Sequence, residues 1–384
     1  LNDFPEIFDQ QASALAQRDL KPDGWRLESP VKLRLLERLR KSGTPLGEYV
    51  QGRFYYGIKT GLNEAFVVDR AARDRLIAEH PSSEEVLKPF LRGRDVKRWR
   101  VGFADQYLIK IESSENKKHP WSGIPEEAAE KIFAKTYPAI HGFFDNMRKA
   151  LIKRYDQGKY FWELRSCDYW QAFEQTKVLY PDIYEHQSFA WDARGFYMGN
   201  TCYFIPTSEK WVLALLNSPT VEWFYGNTAN RIRGGYLRAF SQFMSQIPIP
   251  PATPNQQRWC ERLAEALIWL HDPAAKMPKA ESFGLMAAYF EQWLNGLVYE
   301  LFFPSELHAR KLKLFDETVK LSPPNLAQFS DLRKLTALQE VFVRAYDSDA
   351  TLRGMLFDLR SLDMVRVIEE VSGANTEPPV EGEV

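Results

Sequence analysis

At 384 residues, 45% of them hydrophobic and 14% aromatic, the chain has the material for two or three packed domains. Its formal net charge of −1 conceals an asymmetry: residues 44–250 carry 28 Lys and Arg against 24 Asp and Glu, whereas residues 251–384 carry 14 against 20. Cys167, Cys202 and Cys260 lie far apart and no run of about 18 apolar residues exists, which excludes a disulfide framework, a CxxC metal knuckle and a spanning helix; the expected compartment is the cytoplasm, with no membrane partner.

Residues 5–20 and 31–41 read as short amphipathic helices, the second closed by Ser42-Gly43. The chain opens on Leu-Asn-Asp-Phe, not Met, so residues 1–43 are expected to link to an N-terminal part that is absent here. From "PLGEYV" to about Pro250 the texture is a string of β-rich runs, "RFYYGI", "AFVVD", "QYLIKI", "KVLYPDIY", "SFAWD" and "FYMGNTCYFIP", with helices expected near 71–80, 126–150 and 208–225.

Within the first of these runs, "GRFYYGIKTGLNEAFVVD" approaches a phosphate-binding loop. Gly52 and Gly57 keep the spacing, but Ile58 occupies the lysine position, Lys59-Thr60 come one place late, and "AFVVD" reads as a strand where the motif needs a helix. Gly57 and Gly61 are therefore expected as turn residues of an opening hairpin, with Asn63 and Glu64 bonding the turn and Lys59 facing a phosphate.

Three later stretches interleave basic and aromatic residues. "KPFLRGRDVKRWRVG" sets Arg92, Arg94, Lys97, Arg98 and Arg100 around a glycine and Trp99, and guanidinium forks suit phosphates and guanine edges. "RYDQGKYFWELRSCDYW" holds six aromatics and three basic residues in 17 positions, a composition suited to base stacking; Arg154, Lys159, Tyr160 and Arg165 are expected to face outward, while Phe161, Leu164 and Cys167 recur at helical spacing as core. "NTANRIRGGYLRAF" adds Arg231, Arg233 and Arg238 about paired glycines. Set against these, solvated charge is the ordinary fate of such runs.

Catalytic constellations are missing. There is no GxSxG elbow, no HExxH and no Gly-rich dinucleotide loop, and in "PDIYEHQ" Gln187 stands where a nuclease-like carboxylate set wants lysine. Asp156, Glu163 and Asp168 lie among Arg154, Lys159 and Arg165, where ion pairing is expected. The proline-rich "QIPIPPATPNQQ" ends the mixed region. Beyond it "QQRWCERLAEALIWLH", "FGLMAAYFEQWLNGLVYELFF", "FSDLRKLTALQEVFVRAY" and "TLRGMLFDLRSLDMVRVIEEV" show helical apolar spacing over 251–370, and the acidic end, 371–384, reads as a disordered tail.

Taken in order, "GIKTGLNEAFVVD", "LKPFLRGRDVKRW", "YLIKI", "YPAI", "RYDQGKYFWELRSCDYWQAFEQTKVLYPDI", "GFYMGNTCYFI", "VLALLNSPTVEWFY", "RGGYLRAF" and "QIPIPP" resemble the TaqI-like C-terminal specificity domain of adenine-specific DNA methyltransferases, especially the type IIG restriction-modification enzymes. The likeness spans about 44–250, and "FEQWLNGLVYELFFPSELH" is similar to the region that follows in type IIG proteins. It implies an α+β fold: a β-rich target-recognition domain with inserted helices, then a mainly α-helical C-terminal region.

The resemblance further implies a module that grips double-stranded DNA and reads its major groove for a neighbouring N-terminal methyltransferase domain, which methylates adenine N6 in a phage-defence restriction-modification system. S-adenosylmethionine is expected in that absent domain and no cofactor in this chain: the Asn/Asp-Pro-Pro-Tyr/Phe tetrad is missing ("SPPN" at 322–325 keeps only the prolines), as is the Phe-x-Gly-x-Gly loop. The chain alone is thus not expected to be catalytic. Lys59, Arg92, Arg94, Lys97 and Arg98 are expected on phosphates, and Arg154, Lys159, Tyr160, Arg165, Arg231, Arg233 and Arg238 near bases or the distorted strand. The competing reading is a specificity scaffold that docks a separate methylase or nuclease subunit.

Overall fold

The computed structural model describes residues 28–229, 231–232, 235–272 and 282–373, together with Pro5 and Gln17. The rest of the helix expected over 5–20, Arg233, and the end beyond residue 373 lie outside the described residues. The architecture is α+β with a helical C-terminal region. Eight strands form two four-stranded sheets: β1 (Tyr55–Tyr56), β2 (Val67–Asp69), β3 (Leu87–Leu91), β4 (Gln106–Ile109), β5 (Lys177–Pro181), β6 (Ala190–Asp192), β7 (Tyr197–Met198) and β8 (Cys202–Pro206).

The first sheet runs β6-β5-β8-β1, antiparallel throughout. Strand β5 is buried along its whole length, and alternate side chains serve two different cores. Val178 and Tyr180, with Ile205 of β8, face a core built largely by the C-terminal helices, while Leu179 and Phe204 face a second core. This is why "KVLYP" is a continuous apolar run and not an alternating one. At the end of the sheet Lys177 and Asp192, opposite one another in register, form an ion pair of 2.6 Å with both side chains fully buried.

The second sheet runs β7-β3-β4-β2, with β7 parallel to β3 and the other pairs antiparallel. Its "LKPFL" strand went unread in the sequence, because Pro89 and Lys88 hide a strand whose apolar residues Leu87, Phe90 and Leu91 are buried. The helix expected over 126–150 is three: Glu126–Thr136, Pro138–Asp145 and Arg148–Lys153. Pro138 cannot continue the first helix, so it starts the second. Likewise Pro219 splits 208–225 into Lys210–Leu216 and Pro219–Gly226. In "AFVVD" only Val67–Asp69 is strand; Ala65 and Phe66 complete a helical turn from Asn63. The helical spacing of Phe161, Leu164 and Cys167 does not produce a helix, although Phe161 and Leu164 are buried.

Beyond "IPIPPATP", a Thr253–Gln256 capping box with Pro254 at the first position starts an 18-residue helix to His271. The next described helix, Ser282–Phe302, is followed by further helices, the last ending at Gly373, past the expected start of the tail. Leu263, Leu267, Trp293 and Leu297 share one core with Trp211, Leu215 and Phe224, so apolar packing crosses Pro250 without interruption.

One turn ties the two regions together. Val96–Lys97 pairs with Arg100–Val101, leaving Arg98-Trp99 as the two-residue turn, and Trp99 adopts a φ of +66° that an indole residue rarely takes. Trp99 is nonetheless buried, with its indole N–H donating to Glu291 at 2.8 Å; Arg98 Nε donates to the same carboxylate at 2.6 Å.

Candidate nucleic-acid interface

The basic segments converge on the turn between β7 and β8, Gly199-Asn200-Thr201. Ile58 pairs with Gly199, and the Asn200 N–H donates to the Ile58 carbonyl at 3.1 Å, which fixes Lys59 beside the turn. The Gly93 N–H donates to Thr201 Oγ1 at 2.9 Å, which fixes the Arg92–Arg94 segment against its other side. The Asp182 N–H donates to the Thr201 carbonyl at 2.9 Å, and Asp182 in turn accepts from Arg238 Nη2 at 2.8 Å.

Close backbone approach makes this possible. A Cβ on Gly57 would lie 2.0 Å from the Gly199 carbonyl oxygen, and one on Gly93 would lie 2.5 Å from that of Thr201. Thus Gly57 serves backbone contact, while Gly61, at φ +69°, is the true left-handed turn residue, seated on Asp156. Asn63 meets a side chain where a backbone bond was expected: the Thr60 hydroxyl donates to Asn63 Oδ1 at 2.7 Å and accepts from the Leu62 N–H at 3.2 Å.

The expected basic residues fall into three groups. Lys59, Arg94, Lys97 and Lys159 are exposed and, among the described residues, form no ion pair; Lys59 lies 6.0 Å over the Tyr56 ring. Arg92, Arg165, Arg231 and Arg238 are held by a neighbour: Arg92 on Gln106 at 3.3 Å, Arg165 on Asp156 at 3.0 Å, Arg231 on the Gly235 carbonyl at 2.8 Å and Arg238 on Asp182. Lys59 and Arg165 meet across a cleft of about 190 Å³ lined also by Tyr56, Asp168 and Tyr169. Burial raises the Cys167 thiol in that cleft above its ordinary value, which disfavours the thiolate.

In the third group the structure corrects the expectation of outward-facing side chains. Arg154 is 6% exposed, and its guanidinium donates to the carbonyls of Thr60 (2.6 Å), Asp156 (2.9 Å), Phe161 (3.0 Å) and Glu163, 4.3 Å over the Phe66 ring. Desolvation lowers its pKa to about 10, still charged at neutral pH. Tyr160 is buried with its hydroxyl donating to the Trp121 and Ile124 carbonyls. Arg98, expected on a phosphate, is committed to Glu291.

Glu163 differs from the ion pairing expected of it. Its buried carboxylate accepts from Ser114 N–H and Oγ, Trp121 Nε1, and the N–H groups of Lys159 and Tyr160, at 2.5 to 3.3 Å. Glu163 and Arg154 together fold "RYDQGKYFWE" into a fixed loop. Asp156 does form the expected ion pair, with Arg165; the residues that sequence reasoning missed are Tyr155, 96% exposed on this loop, Asp182, which orients Arg238, and the Gly-Asn-Thr turn, whose only sequence signal is its turn-forming composition.

Two further groups are engaged within the fold. Glu130, His141 and Asp145 lie close enough to suggest a metal, but the Arg148 guanidinium already occupies the space, donating to both Glu130 oxygens and, at 3.2 Å, to Asp145. Arg148 holds the Glu130 carboxyl down to about 2, below its ordinary 4.5. That interaction stabilises the fold above pH 4.5 and is lost as pH falls toward 2. Glu130→Gln is expected to flatten this part of the acid unfolding curve followed by circular dichroism; an unchanged curve would contradict the assignment. At "SPPN", Ser322 caps a helix at φ +49°, Pro323 accepts from Arg262 at 2.7 Å and Asn325 accepts from the Ala327 N–H at 3.1 Å. These four residues make a turn between helices.

Residues 88–249 match the family model for the TaqI-like C-terminal specificity domain. The chain is 23% identical over 256 residues to the Type II methyltransferase M.PaeR7I of Pseudomonas aeruginosa (64% of this chain, 40% of the relative). It is 25% identical over 253 residues to the Type II methyltransferase M.BstVI of Geobacillus stearothermophilus (64% and 41%). The chain thus spans about two fifths of the length of the curated relatives it matches. A solved structure of the type IIL restriction-modification enzyme MmeI in complex with DNA aligns with a TM-score of 0.42 and 15% identity, covering 75% of this chain and 35% of that one.

Proposed function

We propose that this chain, whose residues 88–249 match a TaqI-like specificity domain, is the DNA target-recognition part of an adenine-specific (N6) DNA methyltransferase of the type IIG restriction-modification kind. The observation that carries the reading is the Gly199-Asn200-Thr201 turn, which holds the Lys59, Arg92–Arg94 and Arg238 segments side by side. Double-stranded DNA in the cytoplasm is its ligand. Methyl transfer and S-adenosylmethionine belong to a methyltransferase region that partners this one.

Recognition divides by how each cation is held. Lys59, Arg94, Lys97 and Lys159 are free to follow a backbone, and each neutralises a phosphate and releases counterions. Arg165 and Arg238 are fixed by Asp156 and Asp182, so less side-chain freedom is lost on binding, and these oriented forks read base edges. Arg92 and Arg231, held by uncharged acceptors, stand between the two roles; Arg98, Arg154 and Tyr160 act from within the fold.

Retardation of mixed-sequence duplexes by the full 384-residue chain across a salt series tests this. Arg94→Ala is expected to weaken binding to all sequences alike and to reduce the slope of log affinity against log salt by about 1. An unchanged slope would remove Arg94 from the phosphate contacts, and failure of the wild-type chain to retard any duplex at low salt would overturn the reading. The second reading, a scaffold docking separate subunits, is favoured by Leu332, Val343 and Phe357, exposed on the C-terminal helices at 68%, 66% and 77%. Stable co-purification with a methylase or nuclease subunit, without DNA binding, would select it.

A further inference from the structure

We infer that Tyr155 is a stacking side chain that enters the DNA at a base step, while the loop carrying it stays fixed. The inference rests on the DNA-recognition reading and extends it to a residue outside the basic set.

Tyr155 is 96% exposed. Exposure of one aromatic ring is ordinary; exposure on a backbone this heavily restrained is not. Arg154, the preceding residue, is buried and bonded to four carbonyls, two of them within the loop's far arm at Phe161 and Glu163. The following residue, Asp156, has its carbonyl bonded to Arg154, its carboxylate bonded to Arg165, and its backbone packed on Gly61. The Glu163 carboxylate closes the loop from the other side through the Lys159 and Tyr160 N–H groups. A buried charge committed to holding one surface loop stabilises nothing on the ring itself, which touches almost no protein. The arrangement is suited to presenting an aromatic in one position, so that little ordering entropy is lost when it binds.

The surroundings select the partner. Lys149, Lys153 and Lys159 are exposed and, among the described residues, unpaired, and Arg165 stands beyond Asp156. The acids of the same stretch of chain, Asp145, Asp156 and Glu163, are already engaged, by Arg148, by Arg165 and by the loop's own N–H groups. A protein-docking aromatic is set in an apolar core from which charge is depleted. These lysines lie within six positions of Tyr155 in the chain, with Ile152 as its exposed large apolar neighbour in sequence, and an exposed ring in a stretch of unpaired lysines matches the stacked bases and phosphates of DNA.

The test uses the full chain with mixed-sequence duplexes, intact and carrying a single-nucleotide gap where a base step is already open. Wild type is expected to prefer the gapped duplex. Tyr155→Ala should lose that preference and bind gapped DNA about 5- to 150-fold more weakly, with an unchanged salt slope because no phosphate contact is removed. Tyr155→Phe should restore both, and the thermal unfolding of all three should coincide, since the ring is not packed. Lys153→Ala, in contrast, should reduce the salt slope. If wild type binds DNA and Tyr155→Ala binds gapped and intact duplexes equally well as wild type, the inference is overturned while the recognition reading stands. If wild type binds no DNA, both fall; a Tyr155→Ala defect confined to association with a methyltransferase protein also overturns it.

Discussion

Arg154→Ala is expected to lower stability by at least about 3 kcal/mol and to make residues 154–163 an early site of cutting in limited proteolysis. The guanidinium satisfies four carbonyls, most of them in a region closed to water, and burial of an unpaired carbonyl costs on the order of 1–3 kcal/mol. It also stacks on Phe66, so truncation opens a gap beside a fully buried ring. Arg154→Lys should not rescue the loop, because one ammonium cannot reproduce a planar fork that reaches four acceptors at fixed angles. Urea unfolding followed by tryptophan fluorescence, with proteolysis at low denaturant, measures both effects. A wild-type midpoint and a wild-type cleavage pattern in the alanine variant would show that the loop is held by something else.

Asp192→Asn is expected to cost about 3–5 kcal/mol, the effect of stranding one member of a buried ion pair. The Arg194 and Phe196 N–H groups bond the two different Asp192 oxygens at 2.7 and 2.9 Å, and asparagine keeps an acceptor for only one of them, so the loss combines one backbone bond with the uncompensated Lys177. Desolvation already pushes the Lys177 ammonium below its ordinary pKa, and Asp192 is the chief opposing influence. Adding Lys177→Met to Asp192→Asn should therefore recover part of the stability, since it removes the charge that has no partner. Thermal unfolding of the three variants decides the matter; a double variant less stable than Asp192→Asn would show that the lysine's bonds to the Phe173 and Gln175 carbonyls outweigh its charge.

These two sites mark where sequence reading ends. The amphipathic C-terminal helices and the runs at "KVLYP" and "CYFIP" were legible because their periodicity reflects burial that each element imposes on itself. The interior roles of Arg154, Lys177 and Glu163 were not, because a charged residue in a polar stretch looks the same whether it faces solvent or partners that only the fold assembles, such as the Thr60 carbonyl 94 positions from Arg154 or Ser114, 49 positions from Glu163. The same limit applied to Arg98, whose partner Glu291 lies 193 positions on. Lys59, Arg94, Lys97 and Lys159 did prove exposed, yet what gathers the basic segments is the uncharged Gly199-Asn200-Thr201 turn, a feature of backbone geometry that composition barely signals. Tyr155 stood in the quoted stretch throughout, but only its neighbours' burial separates it from the five other rings there that are wholly or partly packed.

The Arg98-Trp99 turn bears on how portable the recognition region is. A segment cut at Pro250 would carry the indole and guanidinium away from the one carboxylate that receives both, along with a sheet face deprived of its covering helices. The region proposed to recognise DNA is therefore not a cassette bounded by its proline-rich stretch: any transplant that keeps its shape has to bring Glu291, and the helix that carries it, as part of the graft.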